Sequence, residues 1–189
     1  MKNIDSQNDL NVTHSITIKL SGLGKYAPAT IERLTRDLPL LRALDLSHNR
    51  IGEYGPETSK QLVKFLELTS VDMGFNYLRE HAKEIAKSLA TIPSLQNVNM
   101  RNNEICLNDI SIIVDIFLTS SLHCLDIGGN GLLTQANRNE INDKVQARNG
   151  SYKAYIEELH AIILDIVTID LVGVVENYLE TPPIQVILE

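Results

Sequence analysis

Leu41-Arg42-Ala43-Leu44-Asp45-Leu46-Ser47-His48-Asn49-Arg50-Ile51 sets the pattern on which the chain is built. Leu44 and Leu46 alternate across Asp45, so in an extended chain both point to one side. Asn49 follows three residues later, then Ile51. The same frame returns at Leu68, Val71, Met73, Asn76 and Leu78. It returns again at Leu95, Val98, Met100, Asn103 and Ile105, and at Leu122, Leu125, Ile127, Asn130 and Leu132. Each asparagine lies 27 residues after the one before it.

One such unit has nowhere to bury its apolar side, and only stacking against its neighbours supplies a core. The asparagine bends the chain away from the strand. Its amide both accepts and donates, so stacked copies of Asn49, Asn76, Asn103 and Asn130 are expected to form a buried structural ladder serving backbone groups left unpaired by the turn. After Asn49, Gly52 and Gly55 frame a turn. Pro56 then suits the first turn of a helix carrying Leu62, Val63 and Leu66. Ile85, Ala86 and Leu89, then Ile110, Ile113, Val114 and Phe117, show the same helical spacing.

The four copies resemble the leucine-rich repeat, L-x-x-L-x-L-x-x-N-x-L, at every framework position. The 27-residue unit with a full helix, and the N-x-I-G-x-x-G of its first copy, are similar to the ribonuclease-inhibitor subclass. Ala82 and Asp109 stand where that subclass pattern has Gly55. The resemblance implies an α/β leucine-rich-repeat solenoid: a short horseshoe with parallel strands on its concave face and helices on its convex one. It also implies that partners touch the outward strand residues.

Working outward, Ile16, Ile18 and Leu20 alternate as a strand, Leu23 falls about where the asparagine would be, and Ala27 to Leu38 reads as a helix with Ile31 and Leu34 inward. We read this as a degenerate first repeat. Ala136 to Asn149, with Ile141 and Val145 alone on its stripe, reads as a polar cap helix. The expected organisation is a disordered lead-in at 1–13, a repeat domain at 14–150 and a C-terminal helical extension at 151–189. In the extension, Tyr152 to Ile166 and Leu171 to Leu179 carry helical apolar stripes, and Ile184 to Leu188 is a short apolar tail. The helical pair either closes the last repeat or docks a second protein. Residues 170–179 faintly resemble the start of an F-box helix, although Thr168-Ile169 stands where Leu-Pro is usual.

Net charge is −7, against the cationic surface that nucleic-acid phosphates require. Residues 137–189 hold four basic against nine acidic side chains, so the acidity concentrates there. The polar start and the lack of any run of about 18 apolar residues lead us to expect no signal peptide and no membrane span. Two cysteines make no disulfide framework. A cytoplasmic location, or delivery into a host cytoplasm, follows as the expectation.

No constellation for catalysis emerges. His14, His48, His81, His123 and His160 lack metal-ligand spacing with either cysteine. His123 and Cys124 adjoin on a strand and face opposite ways. Cys106 and Cys124 are read as buried or half-buried packing residues. No cofactor and no metal is expected, and the chain is read as a non-enzyme.

The outward columns are uneven. Phe75 and Tyr77, with His48, Arg50 and Arg101, gather near the middle copies, and aromatic and arginine side chains dominate interface hot spots. Asp72 and Asn99 belong to the column Asp45, Asp72, Asn99, Asp126, which is in part structural and otherwise an acidic stripe. We therefore expect partner contacts at His48, Arg50, Asp72, Phe75, Tyr77, Asn99 and Arg101. The alternative is that Phe75 and Tyr77 merely cover the core's edge. The expected role is binding a protein partner. Short arrays of this kind resemble the repeat proteins that intracellular bacteria deliver into host cells, which implies a host protein as partner. The alternatives are a ubiquitin-ligase adaptor and a regulatory or inhibitory subunit of an enzyme.

Overall fold

A computed structural model describes residues 15–17, 22–131, 133–166 and 184–188, with the backbone alone for 15–17, 152 and 155–166. Six short parallel strands form one sheet in chain order. They are β1 (Ser15–Thr17), β2 (Ala43–Asp45), β3 (Ser70–Asp72), β4 (Asn97–Asn99), β5 (Cys124–Asp126) and β6 (Gln185–Ile187). Between them run α1 (Ala27–Asp37), α2 (Gly55–Leu62), α3 (Ala82–Leu89), α4 (Leu107–Leu118) and α5 (Gln135–Ile166). α1 packs on α2, α2 on α3 and α3 on α4.

The register is the repeat made visible. Leu44 pairs with Val71, Val71 with Val98 and Val98 with Leu125. These residues, with Leu46, Met73, Met100 and Ile127, are buried beneath the sheet. Ile51, Leu78 and Ile105 bury completely after the turn, and Ile85, Ala86, Leu89, Ile113, Val114 and Phe117 close the core from the helices.

Local chemistry starts each helix. Gly52 adopts φ +45°, which suits glycine, and its N–H donates to the Asn76 carbonyl at 2.9 Å. One 3-10 turn, Gly52–Tyr54, then leads into α2, with Pro56 in its first turn. Arg79 takes glycine's place in the next copy at φ +49°. The third copy omits the 3-10 turn, and α4 starts directly after Cys106. There Asp109, 6% exposed, meets Lys83 Nζ at 2.8 Å. The carboxylate holds the Lys83 ammonium above its usual range, first by hydrogen bonding and then by charge.

Several expectations change. Ser15 pairs with Ala43, an offset of 28. Gly24 donates to the Asn49 carbonyl at 2.9 Å as Gly52 does to Asn76. Leu23 therefore matches Ile51 rather than the asparagine, whose position falls at residue 21, outside the described residues. Cys106 is exposed rather than packed, because its extended backbone (ψ 158°) caps α4 and turns outward. Ile31 is buried and Leu34 packs against the core, as the helical spacing predicts.

The largest difference lies at the C-terminus. α5 begins with reciprocal caps between Thr134 and Asn137, a capping-box arrangement. It continues unbroken through Asn149-Gly150-Ser151, so the boundary expected at 150/151 falls inside one helix. Gly150 faces open space, and a single exposed glycine weakens a helix by about 1 kcal/mol without ending it. The apolar tail is a sixth strand rather than helix: Val186 pairs with Leu125, while Ile184 and Leu188 are buried. The expected lead-in 1–13, the residues Ile18, Leu20 and Leu132, and the helix and F-box-like stretch around 168–179 lie outside the described residues.

Candidate functional site

Asn76, Asn103 and Asn130 each tie their own turn to the copy before it. Asn76 Oδ1 accepts the Asn49 N–H at 2.9 Å, and Asn76 Nδ2 donates to the Leu46 carbonyl at 2.8 Å. Asn103 Oδ1 accepts from Asn76 at 2.8 Å, and Asn130 Oδ1 from Asn103 at 2.7 Å. Asn49, Asn76 and Asn103 are wholly buried. These side chains are structural and present nothing to a ligand.

The residues flanking them behave differently. His48, Phe75 and Asn102 precede an asparagine with φ of 61°, 58° and 51°, and Arg50, Tyr77 and Glu104 follow one with φ of 52°, 58° and 58°. Left-handed backbone costs a side-chain-bearing residue about 1–2 kcal/mol. Glycine escapes that cost, and Gly129 holds the same place in the fourth copy at φ 65°. Phe75 and Tyr77 are 42% and 48% exposed. Phe75 stacks on His48, with centroids 4.3 Å apart and planes 12° from parallel. The Arg79 guanidinium lies 5.9 Å from the Tyr77 ring and pairs with Glu104 at 2.8 Å.

Asp72 and Asn99 serve the backbone first. Asp72 Oδ1 accepts from Gly74 N–H at 2.8 Å, and Asn99 Oδ1 from Arg101 N–H at 3.0 Å. Asp45 and Asp126 make the same bond to Ser47 and Gly128. An amide at Asn99 also separates carboxylates on neighbouring strands and donates to Asp72 Oδ2 at 3.0 Å. The Arg101 stem lies against Gly74, where an added Cβ would sit 3.4 Å from Arg101 Cγ. Arg101 Nη1 stands 3.6 Å from Asp126 Oδ2, and its buried Nε–H has no hydrogen-bond partner among the described residues.

The turn edge falls away toward the fourth copy. A Cβ on Gly129 would overlap the Asn102 amide, and one on Gly131 would come within 2.9 Å of the Ile105 carbonyl. An open cleft of about 500 Å³ lies there, lined by Asn102, Glu104, Cys106 and the two glycines among others. His48 and Phe75 thus meet at one end of the turn edge, Arg50 and Tyr77 stand two residues after them on the same two turns, and Arg101 lies one strand farther on. Sequence reasoning missed Arg79 and Asn102. Both sit at the register of residues already singled out, three after Asn76 and one before Asn103.

The family model described as Leucine Rich Repeat matches residues 40–62.

The chain carries a leucine-rich repeat.

The matched residues span β2, the Asn49 turn and α2, which is most of one 27-residue unit of the stack. None of the curated proteins matches the chain. Leucine-rich repeats are generally non-catalytic interaction modules, which points to a protein partner. The thiol and imidazole of this repeat array fit that reading. Burial, then Asp126, pushes the Cys124 thiol up, and burial, then the Arg148 charge, pushes the His123 imidazole down. Both shifts favour the neutral forms, the opposite direction from a thiolate–imidazolium pair. Among the described residues no helix is long and apolar enough to cross a membrane.

Proposed function

We propose that this chain is a protein-binding module of the ribonuclease-inhibitor-like subclass, acting without catalysis. Its partner seats on the turn edge and the outer strand face around His48, Arg50, Phe75, Tyr77 and Arg101. A full helix in each 27-residue unit supports the subclass. One observation carries the site: exposed aromatic rings occupy left-handed backbone positions, and in the Phe75 column Gly129 shows that glycine suffices. Folding alone favours glycine or asparagine there. A large ring at such a place adds apolar contact area of the kind interfaces use. Asp72 and Asn99 border the site and shape it through the backbone bonds they hold.

The test is a paired change, Phe75→Asn with Tyr77→Gly, which installs residues that Asn102 and Gly131 already hold in those columns. Stability should stay within about 1 kcal/mol by urea unfolding, since strain relief offsets the lost stacking. Partners pulled from host lysate and identified by mass spectrometry should be lost. Retention of every partner by the folded double variant overturns the site.

A further inference from the structure

We infer that the partner offers this surface an acidic segment, with carboxylates on either side of an apolar side chain. The inference rests on the docking surface proposed above and adds its chemistry. On this edge and the neighbouring strand face most cations are already engaged: Arg79 holds Glu104 and Arg42 holds Glu67. Arg50 and Arg101 are the exceptions. Arg50 has no carboxylate within ion-pair distance among the described residues. Arg101 reaches Asp126 at 3.6 Å, a looser contact than the 2.8 and 2.9 Å of those two pairs, and its side chain is 43% exposed.

Arg50 follows β2, Phe75 and Tyr77 follow β3, and Arg101 follows β4. Strands step by about 4.8 Å, so the two arginine backbones are offset on the order of 10 Å across the sheet, with Arg101 nearer its strand and Phe75 and Tyr77 on the turn between them. An extended chain rises about 3.3 Å per residue. Carboxylates three residues apart therefore match the two arginines, and an apolar residue between them covers Phe75. A guanidinium holds a carboxylate through two parallel hydrogen bonds, so such a pair adds direction as well as charge. In a chain of net charge −7, two under-used arginines beside exposed aromatics are a local exception, and an acidic segment is complementary to them. The carboxylates of the strand face keep their charge but are anchored to the fold. Asp45, Asp72 and Asp126 each hold a backbone N–H with Oδ1, and Asn99 also donates to Asp72.

The probe is a displayed library of random 12-residue peptides, selected on the full chain. Enriched peptides are then synthesised with a fluorophore and measured by polarisation at low and high salt. Two charge variants accompany it, Arg50→Glu and Arg101→Ser. Glu104 already sits in the Arg50 column at φ 58°, and Ser47 in the Arg101 column, so the repeat accommodates both. The expected result is peptides with two acidic residues about three apart around an aromatic or aliphatic one. Their binding should weaken with salt and fall about tenfold or more in each variant. Enrichment of basic or uncharged peptides overturns the inference, as does unchanged affinity in both variants. If those peptides still lose binding with Phe75→Asn and Tyr77→Gly, the docking surface stands and only the acidic partner is wrong. If nothing is enriched, or binding survives that double change, both readings fail.

Discussion

The middle of the stack and its C-terminal end are held by different forces. Between β2 and β5, each copy buries the same aliphatic positions completely and passes the same asparagine bonds to its neighbour. At the end, the described part of α5 buries only Ile141, with Val145 half-buried. Among its described side chains, the rest of the attachment is polar. Lys144 holds Asp115 at 2.9 Å and Ser111 at 3.1 Å. Arg148 donates to the Leu118 and Ser120 carbonyls, and Arg138 to the Leu188 carbonyl. Asn149 both donates to and accepts from the backbone of Ile184. Burial repeated along an array strengthens with every neighbour and is indifferent to pH. Directional polar ties answer to charge, and they also cover the outer backbone of an edge strand that would otherwise invite pairing.

The sharpest way to break the middle is Asn103→Ala. It removes the acceptor for the Asn76 N–H and the donor to the Met73 and Met100 carbonyls. All of these groups are buried, so a loss of about 3–5 kcal/mol is expected by urea denaturation. Next is a matched pair of truncations. Ile85→Ala, in the middle, should cost about 3 kcal/mol, and Val145→Ala, in the cap, about 1 kcal/mol or less. Equal losses would remove the distinction between the two regions. Arg148→Met tests the polar attachment itself. It should cost about 1–2 kcal/mol, and amide exchange should accelerate at Gln185 and Ile187 while Val71 and Val98 stay protected.

The smallest effect concerns pH. Burial and Arg148 depress the His123 imidazole below its ordinary value, so the folded state binds fewer protons there than the unfolded chain. Its contribution is complete above about pH 6.5 and is lost as pH falls through the depressed value. Unfolding curves at pH 7.5 and 5.5 should show a slope that His123→Gln reduces. An unchanged slope would show that this contact does not govern the cap's response to acid. At alkaline pH the Lys144 pair acts in the opposite sense. Its ammonium is raised, first by the Asp115 hydrogen bond, so that tie loosens only as pH climbs through the raised value.

The repeat was legible because it is written in identities at a fixed interval. Asn49, Asn76, Asn103 and Asn130, each framed by aliphatic residues, specify strand, turn and register together. The helices followed from spacing, and α1 with its buried Ile31 was readable although its copy is degenerate. The C-terminus was less legible for physical reasons. Asn149-Gly150-Ser151 looks like a stop, yet isolated helix breakers are weak against the cooperativity of a long helix. Ile184 to Leu188 is too short to announce a strand, and only the open edge of β5 makes it one. The candidate site was half legible. Aromatic residues at non-core columns drew notice, but the geometry that makes them costly for the fold was invisible.

From the sequence alone came the α/β repeat, its 27-residue step, its buried asparagines and the unusual place of Phe75 and Tyr77. Those depend on residue type and interval, and neighbours in the array share both. Tertiary structure alone decided that Phe75 stacks on His48 at left-handed backbone, that Arg101 crosses Gly74 while its Nε–H lacks an acceptor among the described residues, and that the last strand returns beside β5 under α5. Those outcomes depend on which groups meet across copies and on which edges remain unpaired, and a chain acquires such properties only once it is stacked.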